Sequence, residues 1–140
     1  MRRYILVGIG SGALLGVMDG ILNANPLAQR LYEVYKPIVR TSINAPAGIV
    51  IDLLYGFGLA GVFLLLYRSL PGTSRWMKGL SFGLLIWFLR VLMNAASQWM
   101  MFSVSAQTLA YTLVAGLGEM LILGVLYGLT LRPADRVDLA

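Results

Sequence analysis

The sequence predicts an all-α polytopic membrane protein, an antiparallel bundle of four transmembrane helices with a short amphipathic interfacial helix between the first and second spans. Three observations carry this. First, 59% of the 140 residues are hydrophobic and only 12% are charged, whereas an ordinary soluble domain is about a quarter charged. A soluble domain of this size buries only about two thirds of its unfolded surface, so the excess apolar side chain has to face lipid. Second, the apolar residues gather in four runs, at about 4–22, 45–67, 78–102 and 106–131, each near the ~20 residues that cross a bilayer core. Third, Lys and Arg stand at the edges of these runs, as membrane topology signals do. The whole chain, 1–140, reads as a single transmembrane domain.

The first run follows Arg2 and Arg3 and could be mistaken for a signal peptide. Asp19 inside it, and the poor cleavage site Asn23-Ala24-Asn25, argue against that. Asn25-Pro26 then supplies an N-cap and a first helical position. Leu27, Leu31, Val34 and Tyr35 recur at helical spacing among Gln29, Arg30, Glu33 and Lys36, which predicts an interfacial helix over 26–36 that stops near Pro37. The turn signal Pro71-Gly72 separates the second and third runs. Ser103 and Ser105 mark a tight break between the third and fourth, which predicts a helical hairpin. The tail from Pro133 to Ala140 is short and polar.

With the N-terminus inside, Arg2, Arg3, Arg68, Arg75, Lys78, Arg132 and Arg136 are cytoplasmic, against Arg30, Lys36 and Arg40 outside. The bias of basic residues toward the cytoplasm therefore places both termini there, in the cell (inner) membrane. The chain has no cysteine and no histidine, which excludes disulfides, thiolate nucleophiles, imidazole bases and ordinary zinc or haem ligation. No cofactor and no metal is expected. The formal charge of +5 is scattered rather than patched, so no nucleic-acid partner is expected either.

Chemistry, where it can be read, lies in four ionisable residues inside the spans: Asp19, Asp52, Arg90 and Glu119. Such residues are expensive in lipid and face the protein interior. Arg90 and Glu119 lie near the middle of adjacent spans, at equal distance from the hairpin turn, and are expected to form an ion pair. Asp19 and Asp52 are expected at one level nearer the outer face. Arg90, Asn94 and Gln98 recur at every fourth position of the third span, and Thr108, Thr112 and Glu119 trace a similar stripe on the fourth. These stripes predict a polar core open outward, with Asp19, Asn23, Asp52, Asn94 and Gln98 near its mouth. Three carboxylates against one guanidinium suit a proton, a cation or a small polar ligand.

Gly8, Gly12 and Gly16 on the first span, and Gly116, Gly124 and Gly128 on the fourth, fall at spacings that let helix backbones approach closely. They are read as packing within the bundle, with a homodimer seam as the alternative. Met93, Met100 and Met101 read as gap-fillers rather than a soft-metal site. Trp76, Trp99, Tyr4, Tyr67 and Tyr111 fall near span ends, as interfacial belts do.

Leu54-Tyr55-Gly56-Phe57 through Leu66-Tyr67-Arg68, Pro71-Gly72, Gly79 to Trp87-Phe88, and Gly118-Glu119 with Leu123-Gly124 and Leu126-Tyr127 resemble a loose group of small bacterial four-helix integral membrane proteins without an assigned activity. The resemblance covers about the last two thirds of the chain. Glu119 resembles a glutamate found in the last span of that group, whereas Arg90 has no counterpart in the pattern. The resemblance implies architecture and leaves activity open. The leading expectation is an interaction or accessory subunit docked on a larger membrane complex. One alternative is a small transporter or channel protomer that handles a proton, cation or small polar solute. A second is a lipid-modifying enzyme that uses carboxylates as acid and base, for which no nucleophile or metal-binding triad is evident.

Overall fold

A computed structural model describes residues 1–38 and 44–132. They are helical with no strand among them, and four helices are long and apolar enough to cross a bilayer: α1 (Arg2–Ala24), α3 (Ala45–Leu66), α4 (Arg75–Met101) and α5 (Ala106–Thr130). The shortest, at 22 residues, is about 33 Å long at ~1.5 Å per residue, against a hydrocarbon core of ~30 Å. Between α1 and α3 lies α2 (Pro26–Leu31), which tightens into a 3₁₀ turn at Tyr32–Tyr35. Arg40 and Arg136, both counted for orientation, and the tail from Pro133 lie outside the described residues.

Local chemistry sets several boundaries. The Asn25 side chain accepts from Ala28 N at 2.9 Å and Pro26 takes the first helical position of α2. Asn44 caps α3 through Ala47 N at 3.1 Å, and Ser105 caps α5 through Thr108 N at 3.2 Å. Each cap satisfies an amide that the helix leaves without a partner. In the Pro71-Gly72 turn, Gly72 has φ +123°, a conformation open to glycine and strained for other residues. One feature of α4 leaves no mark in the hydropathy pattern: residues Trp87–Leu92 form a π-helical segment.

The helices associate as two close pairs, α1 with α3 and α4 with α5. Glycine makes both approaches feasible. A Cβ on Gly12 would stand 2.8 Å from Leu53 Cα, and one on Gly56 would stand 2.8 Å from Gly12 Cα. Across the second pair, a Cβ on Gly124 would stand 2.8 Å from Gly83 N, and one on Gly128 would stand 3.0 Å from Gly79 Cα. Gly8 faces the Phe57 ring, Gly16 faces Asp52 and Gly116 faces Val91. All six glycines singled out in the sequence thus meet side chains or backbone of their own chain. Their partners Gly56, Gly79 and Gly83 belong to the same contacts.

The two pairs are joined at one end by an apolar knot. Phe63 of α3, Phe82 of α4 and Tyr127 of α5 are fully buried, with ring centroids 5.2 to 6.0 Å apart. Tyr127 donates to Gly56 O at 3.3 Å. Leu15, Met120 and Leu123 extend this core toward the middle of the bundle. Around the outside, large apolar side chains such as Leu6, Leu54, Leu65 and Val114 are exposed, which suits hydrocarbon and not water.

The apolar residues that the sequence sets at helical spacing on the short helix are Leu27, Leu31, Val34 and Tyr35, and the structure divides them between two faces. Ala28 is fully buried, Leu31, Tyr32 and Tyr35 are half-buried, and Leu27 and Val34 are exposed. The docked face is the one that carries the tyrosines: Tyr32 meets the Thr112 hydroxyl of α5, Tyr35 donates to the Gln98 amide oxygen of α4, and the Leu31 carbonyl accepts from Thr108 of α5.

The backbone contacts at Gly124 leave no flexible neighbour to yield, so Gly124→Ala is expected to cost about 1–3 kcal/mol by overpacking. At Gly118 a Cβ would meet nothing within 4 Å, and Gly118→Ala serves as the neutral control. Thermal unfolding in detergent compares the two; equal melting temperatures would contradict the packing assigned to Gly124.

Candidate functional site

At the end of the bundle away from the aromatic knot the two helix pairs separate, leaving a cavity of about 190 Å³ between α1, α4 and α5. Three helix faces line it. Asp19 and Asn23 come from α1, one turn apart; Arg90 and Asn94 come from α4, again one turn apart; Tyr111, Thr112 and Glu119 come from α5. Thr112 and Glu119 are seven residues apart, about 10 Å along the helix. The residues that carry charge therefore sit on the deep turns of the cavity, and the amides and hydroxyls on the turns nearer α2.

The deep end is electrostatically unfinished. Glu119 is 7% exposed, and its Oε1 has no hydrogen-bond partner among the described residues; the only other buried side-chain oxygen in that position is Ser74 Oγ, at the start of α4. The one ion pair among the described residues is Lys36 with Glu33, on the surface and outside the cavity lining. The expected Arg90–Glu119 pair is not formed. Instead the Arg90 guanidinium stacks 4.3 Å from the centre of the Tyr55 ring on α3, and Nη1 donates to Met120 Sδ at 3.9 Å.

The π-helical segment accounts for this. Depth counting along a regular helix places Arg90 level with Glu119. A π turn carries an extra residue, which changes the direction of the side chains by about 100° relative to a continuous α-helix. Arg90 lies inside that turn, so it reaches toward Tyr55 and Met120 while still lining the same cavity as Glu119.

Two other expected members lie elsewhere. Asp52 does not line the cavity; it borders a separate groove between α1 and α3, beside Gly12, Gly16 and Gly48. Gln98 accepts a hydrogen bond from the Tyr35 hydroxyl. Its place at every fourth position of the α4 stripe leads it past the cavity to the short helix. Asp19, Asn23, Arg90, Asn94 and Glu119 are brought together.

Sequence reasoning missed the roof. Tyr32 lines the cavity and its hydroxyl lies 3.4 Å from Thr112 Oγ1. Thr108 Oγ1 donates to Leu31 O at 3.0 Å. Asn25 Nδ2 donates to the Tyr111 hydroxyl at 2.7 Å, and Tyr111 donates to Leu22 O at 2.7 Å. Tyr111, expected as a belt residue, thus bolts α5 to the end of α1. The Lys36 ammonium, hydrogen-bonded to Glu33 at 2.6 Å, holds that carboxyl below its ordinary range on the outside of this roof, and burial pushes the Tyr35 phenol above its own. The sequence signal for the roof was the run of hydroxyl and amide residues at 105–112, which faces the tyrosines of 32–35.

Among the described residues the protein thus has four apolar helices of membrane-spanning length, one short helix, and a roofed polar cavity between its helix pairs. No family model, no curated protein and no solved structure matches it. Among the described residues no three Asp or Glu side chains converge as a metal site would require. The cavity offers carboxylate, guanidinium, amide and phenol groups, a set suited to binding a small polar solute.

Tyr111→Phe removes two hydrogen bonds that fix the roof and is expected to cost about 1–3 kcal/mol. The measurement is the thermal midpoint in detergent; an unchanged midpoint would show that the roof is not held there.

Proposed function

We propose that the chain is a multi-pass protein of the cell (inner) membrane whose cavity binds a small polar solute, as the protomer of a small transporter or channel would. The carrying observation is Glu119: a buried carboxylate without a partner in the cavity that Arg90 also lines. A charge at this depth costs at least ~2.5–3.5 kcal/mol. In an accessory subunit whose charges serve only to set helix register, mutual pairing would offset that cost, and Arg90 and Glu119 leave it unmet. Enzymatic modification of lipid has weaker support, since no side chain lining the cavity is an activated nucleophile.

In this reading the bundle is antiparallel and the short helix interfacial. The glycine contacts support the first point: Gly8 meets Phe57 and Gly12 meets Leu53, while Gly79 meets Gly124 and Gly83 meets Met120, so numbers rise on one helix as they fall on its partner. Exposed Leu27, Val34 and Ile38 support the second, as apolar groups that a membrane surface would cover. Arg2, Arg3, Arg68, Arg75, Lys78 and Arg132 gather at the aromatic end of the bundle, and Arg30 and Lys36 at the roof. That asymmetry supports a reading with both termini in the cytoplasm and the roof outside.

Because the chain has no cysteine, Asn94→Cys provides a single reactive thiol. A membrane-impermeant thiol reagent applied to the outer face of intact cells is expected to label it, whereas Ala60→Cys, at a fully buried position, should stay unlabelled. Absence of labelling at position 94 would contradict an outward-facing aqueous cavity. In proteoliposomes, Asp19→Asn and Glu119→Gln are each expected to abolish proton-coupled or cation-dependent solute flux. A parent protein that carries no flux and copurifies in fixed ratio with a larger membrane complex would instead establish the accessory-subunit reading.

A further inference from the structure

The cavity is not simply acidic. It holds two carboxylates, Asp19 and Glu119, and one guanidinium, Arg90, and these opposite charges do not neutralise one another by direct ion pairing. Arg90 has no anionic partner: a ring face holds it on one side and a thioether sulfur on the other. A guanidinium offers five N–H donors in a planar fork that matches a carboxylate. Glu119 is nine-tenths buried with a free oxygen. Fixed charges of both signs, brought from three different helices to the deep end of one cavity, require a ligand that carries both signs.

The geometry points to a small zwitterion, a primary-amino carboxylic acid, as the solute class. This rests on the reading of the cavity as a solute site and narrows it. The carboxylate of the ligand accepts from the Arg90 fork in charge-assisted hydrogen bonds. Its ammonium group donates to Asp19 and Glu119, including the free Oε1. A simple cation would gain the carboxylates but meet Arg90 as a like charge and leave it unmatched. A simple anion would gain Arg90 and meet two carboxylates. Only the zwitterion satisfies all three side chains, and the surplus carboxylate is one that a single proton neutralises.

Size agrees with this class. A volume of about 190 Å³ corresponds to about six water molecules at ~30 Å³ each, well below the ~300–1,000 Å³ of pockets for drug-sized ligands. That accommodates an amino acid of about five to seven non-hydrogen atoms and no large side chain. The amides of Asn23 and Asn94 and the hydroxyl of Thr112, which lie nearer the roof, can bind the ligand's outer end without selecting its charge.

The test uses the full chain in lipid nanodiscs and isothermal titration with five probes. Glycine, β-alanine and γ-aminobutyrate carry both charges at increasing separation; ethylammonium carries only the positive charge and propionate only the negative. At least one zwitterion is expected to bind at least tenfold tighter than both single-charge probes. Glu119→Gln and Arg90→Gln should each remove that preference by about tenfold or more, as loss of a charge-assisted bond does, while Arg90→Lys retains part of it. Circular dichroism and gel filtration establish that each variant is folded. Ethylammonium binding as tightly as every zwitterion would overturn the zwitterion assignment while leaving a cation site in place. Binding by none of the five would overturn the solute site itself.

Discussion

The structure depends on how closely two pairs of helix backbones can approach. In a bilayer the hydrophobic effect does not drive helices together, because lipid is as apolar as a leucine side chain, and association rests on close packing. Here that packing is concentrated where Gly12 meets Gly56 and where Gly79 and Gly83 meet Gly124. Two tight pairs result. Between the pairs there is no comparable glycine seam among the described residues; the aromatic cluster of Phe63, Phe82 and Tyr127 joins them at one end, and the hydrogen bonds of Tyr111 tie α5 to the end of α1 at the other. The cavity is the geometric remainder: pairs that are closed within themselves and tied to each other only at the knot and at the roof leave space between.

That space is then lined with the most expensive residues available. Asp19, Arg90 and Glu119 could in principle have neutralised each other, and the π-helical segment on α4 turns Arg90 toward Tyr55 and Met120 instead. Segments of this type recur at functional sites in helices because they change the direction of a side chain without ending the helix. The charges stay separated, and the roof built from Asn25, Tyr32, Tyr35 and Tyr111 covers them on one side. A buried charge left without a counter-ion lowers stability, and the packing at the glycine seams and the aromatic knot works against that loss.

Much of the fold was legible because long apolar runs have a single physical solution in lipid. The four helices begin and end within a few residues of the runs that predict them, and Asn25-Pro26 marks the start of α2 as its capping chemistry requires. Five of the seven polar candidates converge on one cavity, since a stripe at every fourth residue faces one direction on a regular helix. The failures share a cause. The Arg90–Glu119 pair and the place of Asp52 each depend on how a helix is rotated about its own axis. A π turn on α4 sets the first and the close glycine contact of α1 with α3, which seats Asp52 against Gly16, sets the second; periodicity carries no record of either.

Glu119 and Met120 are consecutive on α5, yet one lines the cavity and the other belongs to the apolar core. The boundary between wet and dry therefore runs along this helix between neighbouring residues. Inserting or deleting one residue in its first half would turn everything before that point by about 100° against everything after it. Tyr111 and Thr112 would leave the roof while Glu119 kept its place. The helix thus works as a key cut on two sides, in which the angular offset between its halves matters as much as the identity of either.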